Sequence, residues 1–105
     1  MLVVRDVFPE FCEELVTLAR RSSQPELADE IPELPVVDRC RCGQLDCAHF
    51  YTAQPPDGAY GPGHKNLQLS SESGLIVLDI VGGGIVAVEV LDRPDVRRQL
   101  HAALP

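Results

Sequence analysis

No apolar run in this chain approaches the roughly 18 residues that a membrane-spanning helix requires. The opening residues, Met1 to Asp6, lack the basic start and apolar stretch of a secretory signal. No membrane partner is expected, and the cytosol is the expected compartment. A concentrated basic face is missing as well. Nine Lys and Arg residues stand against sixteen Asp and Glu, a net charge of −7. The basic residues are scattered, at Arg20 and Arg21, Arg39 and Arg41, and Arg97 and Arg98. Binding along a phosphate backbone needs concentrated positive charge, so nucleic acid is not an expected partner. An acidic surface favours solubility and suits a basic protein partner. Internal repeats and a second domain are also absent, and 105 residues make one domain by length.

What is present is an ordinary globular balance of 45% hydrophobic and 24% charged residues. Phe8, Phe11, Cys12, Leu15, Leu18 and Ala19 recur at helical spacing, which predicts an amphipathic helix over Val7 to Arg21. Pro9 is tolerated in its first turn. Ser23 and Glu26 then read as a capping box that opens a short helix with Leu27 and Ile31 buried. Together these make a helical N-terminal part over residues 7–31. Val36 to Cys42 and Cys47 to Ala53 read as a hairpin turned at Gly43 to Asp46. The Pro/Gly-rich stretch Gln54 to Gly63 is a surface loop.

Three strands are expected after it, within residues 64–91. His64 to Ser70 alternates, with Leu67 and Leu69 on one face and Asn66 and Gln68 on the other. Leu75 to Val81 and Ile85 to Leu91 are nearly continuous in Leu, Ile and Val, as central strands are, and Gly82-Gly83-Gly84 turns between them. Asp92 to Asp95 then caps a closing helix over residues 93–104, with Val96, Leu100 and Leu104 on its buried face. This order predicts an α+β fold: one small domain, an antiparallel sheet of about four or five strands, and an N-terminal helix pair and C-terminal helix packed on it.

The segment Cys40 to His49 concentrates three of the four cysteines and one of three histidines. In a reducing compartment such a cluster points to metal or thiol chemistry more than to a disulfide framework. Alternation on the expected hairpin pairs Cys42 with Cys47 and Cys40 with His49, all on one face. Cross-strand neighbours then lie roughly 5 Å apart, close enough for Cys40, Cys42, Cys47 and His49 to converge on one ion. Three thiolates and an imidazole are a structural zinc set, and soft donors disfavour calcium and magnesium. His64 or His101 is an alternative ligand from outside the segment. Three other readings stay open: reduced thiols facing a core with His49 hydrogen-bonded at its edge, a Cys42–Cys47 disulfide, and a reactive thiol. Alternation points Arg39 and Arg41 to the opposite face, which disfavours the reactive thiol, and no His-Glu-x-x-His arrangement supplies the base of a catalytic zinc.

Other groups read more plainly. Gly82 to Gly84 precedes a strand and not a helix, so it is a hairpin turn and no phosphate cradle. Asp79 and Glu89 fall diagonally on one face, where a solvent-facing sheet edge is the expected setting. Tyr60 sits at the tip of the Pro/Gly loop, and His101 is a surface or boundary histidine of the closing helix. Gly83-Gly84-Ile85-Val86-Ala87-Val88-Glu89-Val90-Leu91-Asp92, within Gly74 to Pro94, is similar to the strand–turn–strand ending of small bacterial domains of unknown function, some with suspected antitoxin-like or binding roles. The expected role is a non-catalytic binding domain with a zinc-holding Cys/His hairpin, meeting a protein partner or a second copy of itself. A metal- or thiol-dependent enzyme and an acidic, immunity- or antitoxin-like inhibitor are the alternatives.

Overall fold

A computed structural model describes residues 1–105. Its centre is a five-stranded antiparallel sheet of β1 (Asp38–Arg39), β2 (Phe50–Tyr51), β3 (Lys65–Leu69), β4 (Leu75–Val81) and β5 (Gly84–Leu91). The strand order is β1-β2-β5-β4-β3, so the two apolar strands occupy the middle, as their composition predicts. The helices are α1 (Val4–Val7), α2 (Pro9–Arg20) and α3 (Pro94–Ala103). The fold is α+β, with an antiparallel sheet as expected. No helix is long and apolar enough to cross a membrane.

The register sorts the side chains. Phe50, Val88 and Leu78 stand opposite one another, as do Val90, Ile76 and Leu69 one step along. These six face the helices and join Phe11, Leu15 and Ala19 of α2 and Val96 and Leu100 of α3 in one core. The ring centroids of Phe8 and Phe50 lie 4.9 Å apart, tying the helical layer to β2. Ala87, Asp79 and Asn66 align on the opposite face of the sheet.

The N-terminal part departs from the expected helix in two places. The helix over Val7 to Arg21 is broken at Phe8, whose φ and ψ of −131° and 72° are not helical. Pro9 disfavours the helical region for the residue before it and starts α2 itself. The capping box does not form: Gln24, with no side-chain cap, precedes a 3-10 helix over Pro25–Asp29. Ser22 takes part of that role, donating its hydroxyl to the Ala19 carbonyl (2.6 Å) and accepting the Gln24 N–H (3.1 Å). Leu27 and Ile31 are buried as expected.

Between β4 and β5 the turn is shorter than its three glycines suggest. Gly82 and Gly83 alone form it, with φ of 61° and 83°, and Gly84 already pairs with Val81. The register then shifts between Asp79 and Ile80: Ile80 meets Ile85 while Asp79 meets Ala87, leaving Val86 as a bulge. The two-residue turn plus the bulge restores the register of a three-residue turn. Asp79 and Glu89 therefore share a face, as predicted. The closing helix lacks the expected Asp92 cap. Asp92 adopts a φ of 61°, and its N–H donates to the Asp46 carbonyl (2.9 Å). Arg93 precedes α3 and forms a two-pronged ion pair with Glu14, both contacts at 2.8 Å.

Candidate metal centre

The Cys/His hairpin is only partly a hairpin. Asp38 pairs with Tyr51 and Arg39 with Phe50, and the Cys40 N–H donates to the His49 carbonyl (2.9 Å). That is the predicted register. Beyond it the ladder ends. Cys47 bridges to Leu91, and the Ala48 N–H donates to the Val90 carbonyl (2.9 Å). The returning chain has left its partner for the central strand, so Cys42 and Cys47 do not pair. Gly43, at a φ of 79°, turns the chain, and the Cys47 N–H closes a turn onto the Gln44 carbonyl (3.2 Å).

Three of the four predicted ligands still meet. The sulfurs of Cys40, Cys42 and Cys47 all lie within 4.8 Å of one another. Cys47 is buried, Cys40 half-buried and Cys42 exposed, and all four cysteines of the chain are free thiols. His49 does not join them. It lines a separate cleft on the far face of the sheet with Tyr51, Tyr60, His64, Asp79 and Glu89. Face alternation carries over only along a continuous ladder, and this one stops at Arg39 and Phe50. His101 of α3 lines the thiol cavity instead, together with Arg97.

The arginines are the second correction. Arg39 and Arg41 line the thiol cavity and do not point away from it. Arg39 is held by bonds from Nε to the Leu104 carbonyl (2.6 Å) and from Nη2 to the Pro105 carbonyl (3.1 Å). Arg41 reaches the Pro105 carbonyl (3.1 Å) and the Asp38 carboxylate (3.3 Å). Arg39, Arg41 and Arg97 thus line the cavity that the sulfurs share.

The thiols are unequal. The Gln44 backbone N–H, then the Cys47 and Cys40 thiols, hydrogen-bond Cys42 and hold it below the usual thiol range. Burial pushes Cys47 up to about 11, and the neighbouring thiols add to that. His101 is held below its ordinary value by burial, then by Arg39, Arg97 and Arg41.

The trio can hold a metal ion. Thiolates bound at about 2.3 Å in a tetrahedron stand roughly 3.8 Å apart, so the sulfurs need only a small inward rotation. Sulfur donors suit a soft or borderline ion.

The carboxylates depart from expectation as well. Asp79 is 4% exposed and lies on a central strand, not at a solvent-facing edge. It accepts from Asn66 Nδ2 (2.6 Å) and pairs with His64 Nε2 (2.8 Å). Tyr60, from the Pro/Gly loop, lies over His64 with ring centroids 4.6 Å apart. Period-two alternation places Asp79 and Glu89 on one face, and the strand register adds Asn66 to it. The loop that covers that face carried no periodic signal. Compared with known proteins, the chain matches no family model, and none of the curated proteins or solved structures matches it.

Proposed function

We propose that the protein is a non-catalytic binding domain in which Cys40, Cys42 and Cys47 hold a structural zinc ion, with His101 as the fourth ligand. The convergence of three sulfurs within 4.8 Å carries this reading. His101 supports it as fourth donor because it lines the same cavity, whereas His49 lines another. The ion's task is mechanical. Residues 41–46 are all exposed, so the tip buries no apolar surface. A metal joining Cys40, Cys42 and Cys47 ties that tip to the strand ends, and His101 ties it to α3. Zinc binding and local folding are then one equilibrium.

The clamped tip presents Leu45, which is 84% exposed, between the cysteines. An exposed leucine on a rigid loop suits a protein partner with an apolar pocket.

Elemental analysis of protein purified under reducing conditions tests the metal. One zinc per chain is expected, with Cys42→Ser losing both zinc and thermal stability. His101→Ala is expected to weaken zinc more than His49→Ala does. A metal-free wild-type protein that melts at the same temperature as Cys42→Ser refutes the clamp. Pull-down from the native host tests the partner, and Leu45→Asp is expected to abolish a stoichiometric complex.

A further inference from the structure

The second cleft lies across the sheet from the helices and holds about 520 Å³, within the range of small-ligand sites. Its polar inventory is one-sided. Asp79 and Glu89 offer carboxyl oxygens, and no lysine or arginine lines it. Two further polar atoms of the lining side chains, His49 Nε2 and Tyr60 Oη, are buried and have no hydrogen-bond partner. A histidine nitrogen that is not protonated is an acceptor, and a phenol oxygen accepts as well as donates. The rings of Tyr51 and Tyr60 add π-faces that attract cations. A ligand that complements this cleft is therefore rich in N–H donors and positively charged. A single metal ion fits less well, because the one trio of ligating atoms that converges in this chain is the cysteine set.

We propose that this cleft binds an organic cation of the alkylguanidinium or alkylammonium class, with Asp79 and Glu89 as its counter-ions and the two tyrosines as walls. Asp79 is held in place by Asn66 and His64, so its carboxylate is oriented before any ligand arrives. Glu89 is the responsive partner. Burial, then a hydrogen bond to Asp79 and its charge, push Glu89 up to about 7, while His64 acts in the other direction. The titratable groups facing Glu89 are Asp79 from β4, His64 ahead of β3, Tyr60 from the loop, and Tyr51 and His49 along β2. Near neutrality Glu89 is partly protonated. When the cation enters, that proton passes to the buffer, and Glu89 becomes the second carboxylate. The site stands independently of the metal, since it shares no residue with the thiol cavity.

Titration of the full chain with n-butylguanidinium, followed by amide chemical shifts, tests the proposal. Saturable shifts centred on β2, β4 and β5 are expected, with a proton released below neutral pH and visible as a buffer-dependent binding heat. Glu89→Gln mimics the protonated carboxyl, so its fold should hold; it is expected to weaken binding by about tenfold and remove the proton release. Asp79→Asn is the second variant, read the same way. A blocked arginine tripeptide separates the sources. Tighter binding of the tripeptide assigns the site to a partner's side chain, and its exclusion assigns it to a free amine or guanidine. The proposal is overturned if uncharged n-butylurea gives the same shifts, if cleft amides do not respond, or if Glu89→Gln binds as tightly as wild type.

Discussion

The β1–β2 and β4–β5 hairpins belong to one sheet but differ in length and in the apolar area they bury. β4 and β5 are seven and eight residues long, close through a two-glycine turn, and bury Ile76, Leu78, Val88 and Val90. β1 and β2 are two residues each, and the connection between them carries no apolar side chain into the core except at its end, where Cys47 and Ala48 lie under β5. Burial at about 25 cal/mol per Å² is enough to close the β4–β5 hairpin. In the β1–β2 hairpin, the irregular stretch offers sulfurs where the other offers methyl groups.

The largest effect expected from this contrast concerns the metal. Free zinc a thousandfold above its Kd adds about 4 kcal/mol to folding, and chelation removes it. Differential scanning calorimetry with and without chelator measures it, and an unchanged melting temperature breaks the comparison. In the other hairpin, Leu78→Ala is expected to cost about 3 kcal/mol through the cavity it leaves, with the zinc content per folded chain unchanged. Denaturant unfolding beside elemental analysis separates the two outcomes.

Arg93→Met comes next. The Arg93 guanidinium is nearly buried, pairs with Glu14 and Asp95, and lies 5.1 Å from the Phe11 ring centroid. Removing it strands the Glu14 carboxylate. Because Glu14 is partly exposed, the expected loss is about 2 kcal/mol, read by urea unfolding. It sharpens the contrast by showing how the end of β5 is anchored to α2 without a metal.

Glu89 gives the smallest effect, through pH. Its folded value of about 7 lies above the ordinary 4.5, so the folded chain holds this proton more tightly than the unfolded one. The contribution is complete below about pH 4.5 and is lost as pH rises through about 7. Since the cleft is open to solvent, about 1 kcal/mol is expected. Wild type should lose that much more stability than Glu89→Gln across this window in urea titrations. Parallel curves for the two proteins would show that Glu89 ionises freely.

Much of this was legible in the residues. The apolar runs at Leu75 to Val81 and Ile85 to Leu91 are uninterrupted, and burial on both faces is the setting that tolerates them. The alternation of Leu67 and Leu69 with Asn66 and Gln68 chose the faces of β3. Local chemistry was harder to read. Pro9 was consistent with a helix from Val7, yet its effect on Phe8 starts α2 two residues later. Ser23 and Glu26 had the capping spacing, but the chain formed a 3-10 helix at Pro25.

The two sites differ in the same way. Sequence spacing put Cys40, Cys42 and Cys47 near one another along the chain, and the local turns at Gly43 and from Gln44 to Cys47 brought their sulfurs together. It also paired Asp79 with Glu89, because a period of two is rigid once strands form. Tertiary structure decided the rest. β5 drew Cys47 and Ala48 away from the first hairpin, which sent His49 to the far cleft and left His101 and three arginines around the sulfurs. The Pro/Gly loop brought Tyr60 over His64 and turned an expected exposed carboxylate face into a cleft. Local periodicity cannot anticipate these placements, since each depends on backbone groups and packing surfaces that are distant in sequence and meet only when the sheet closes.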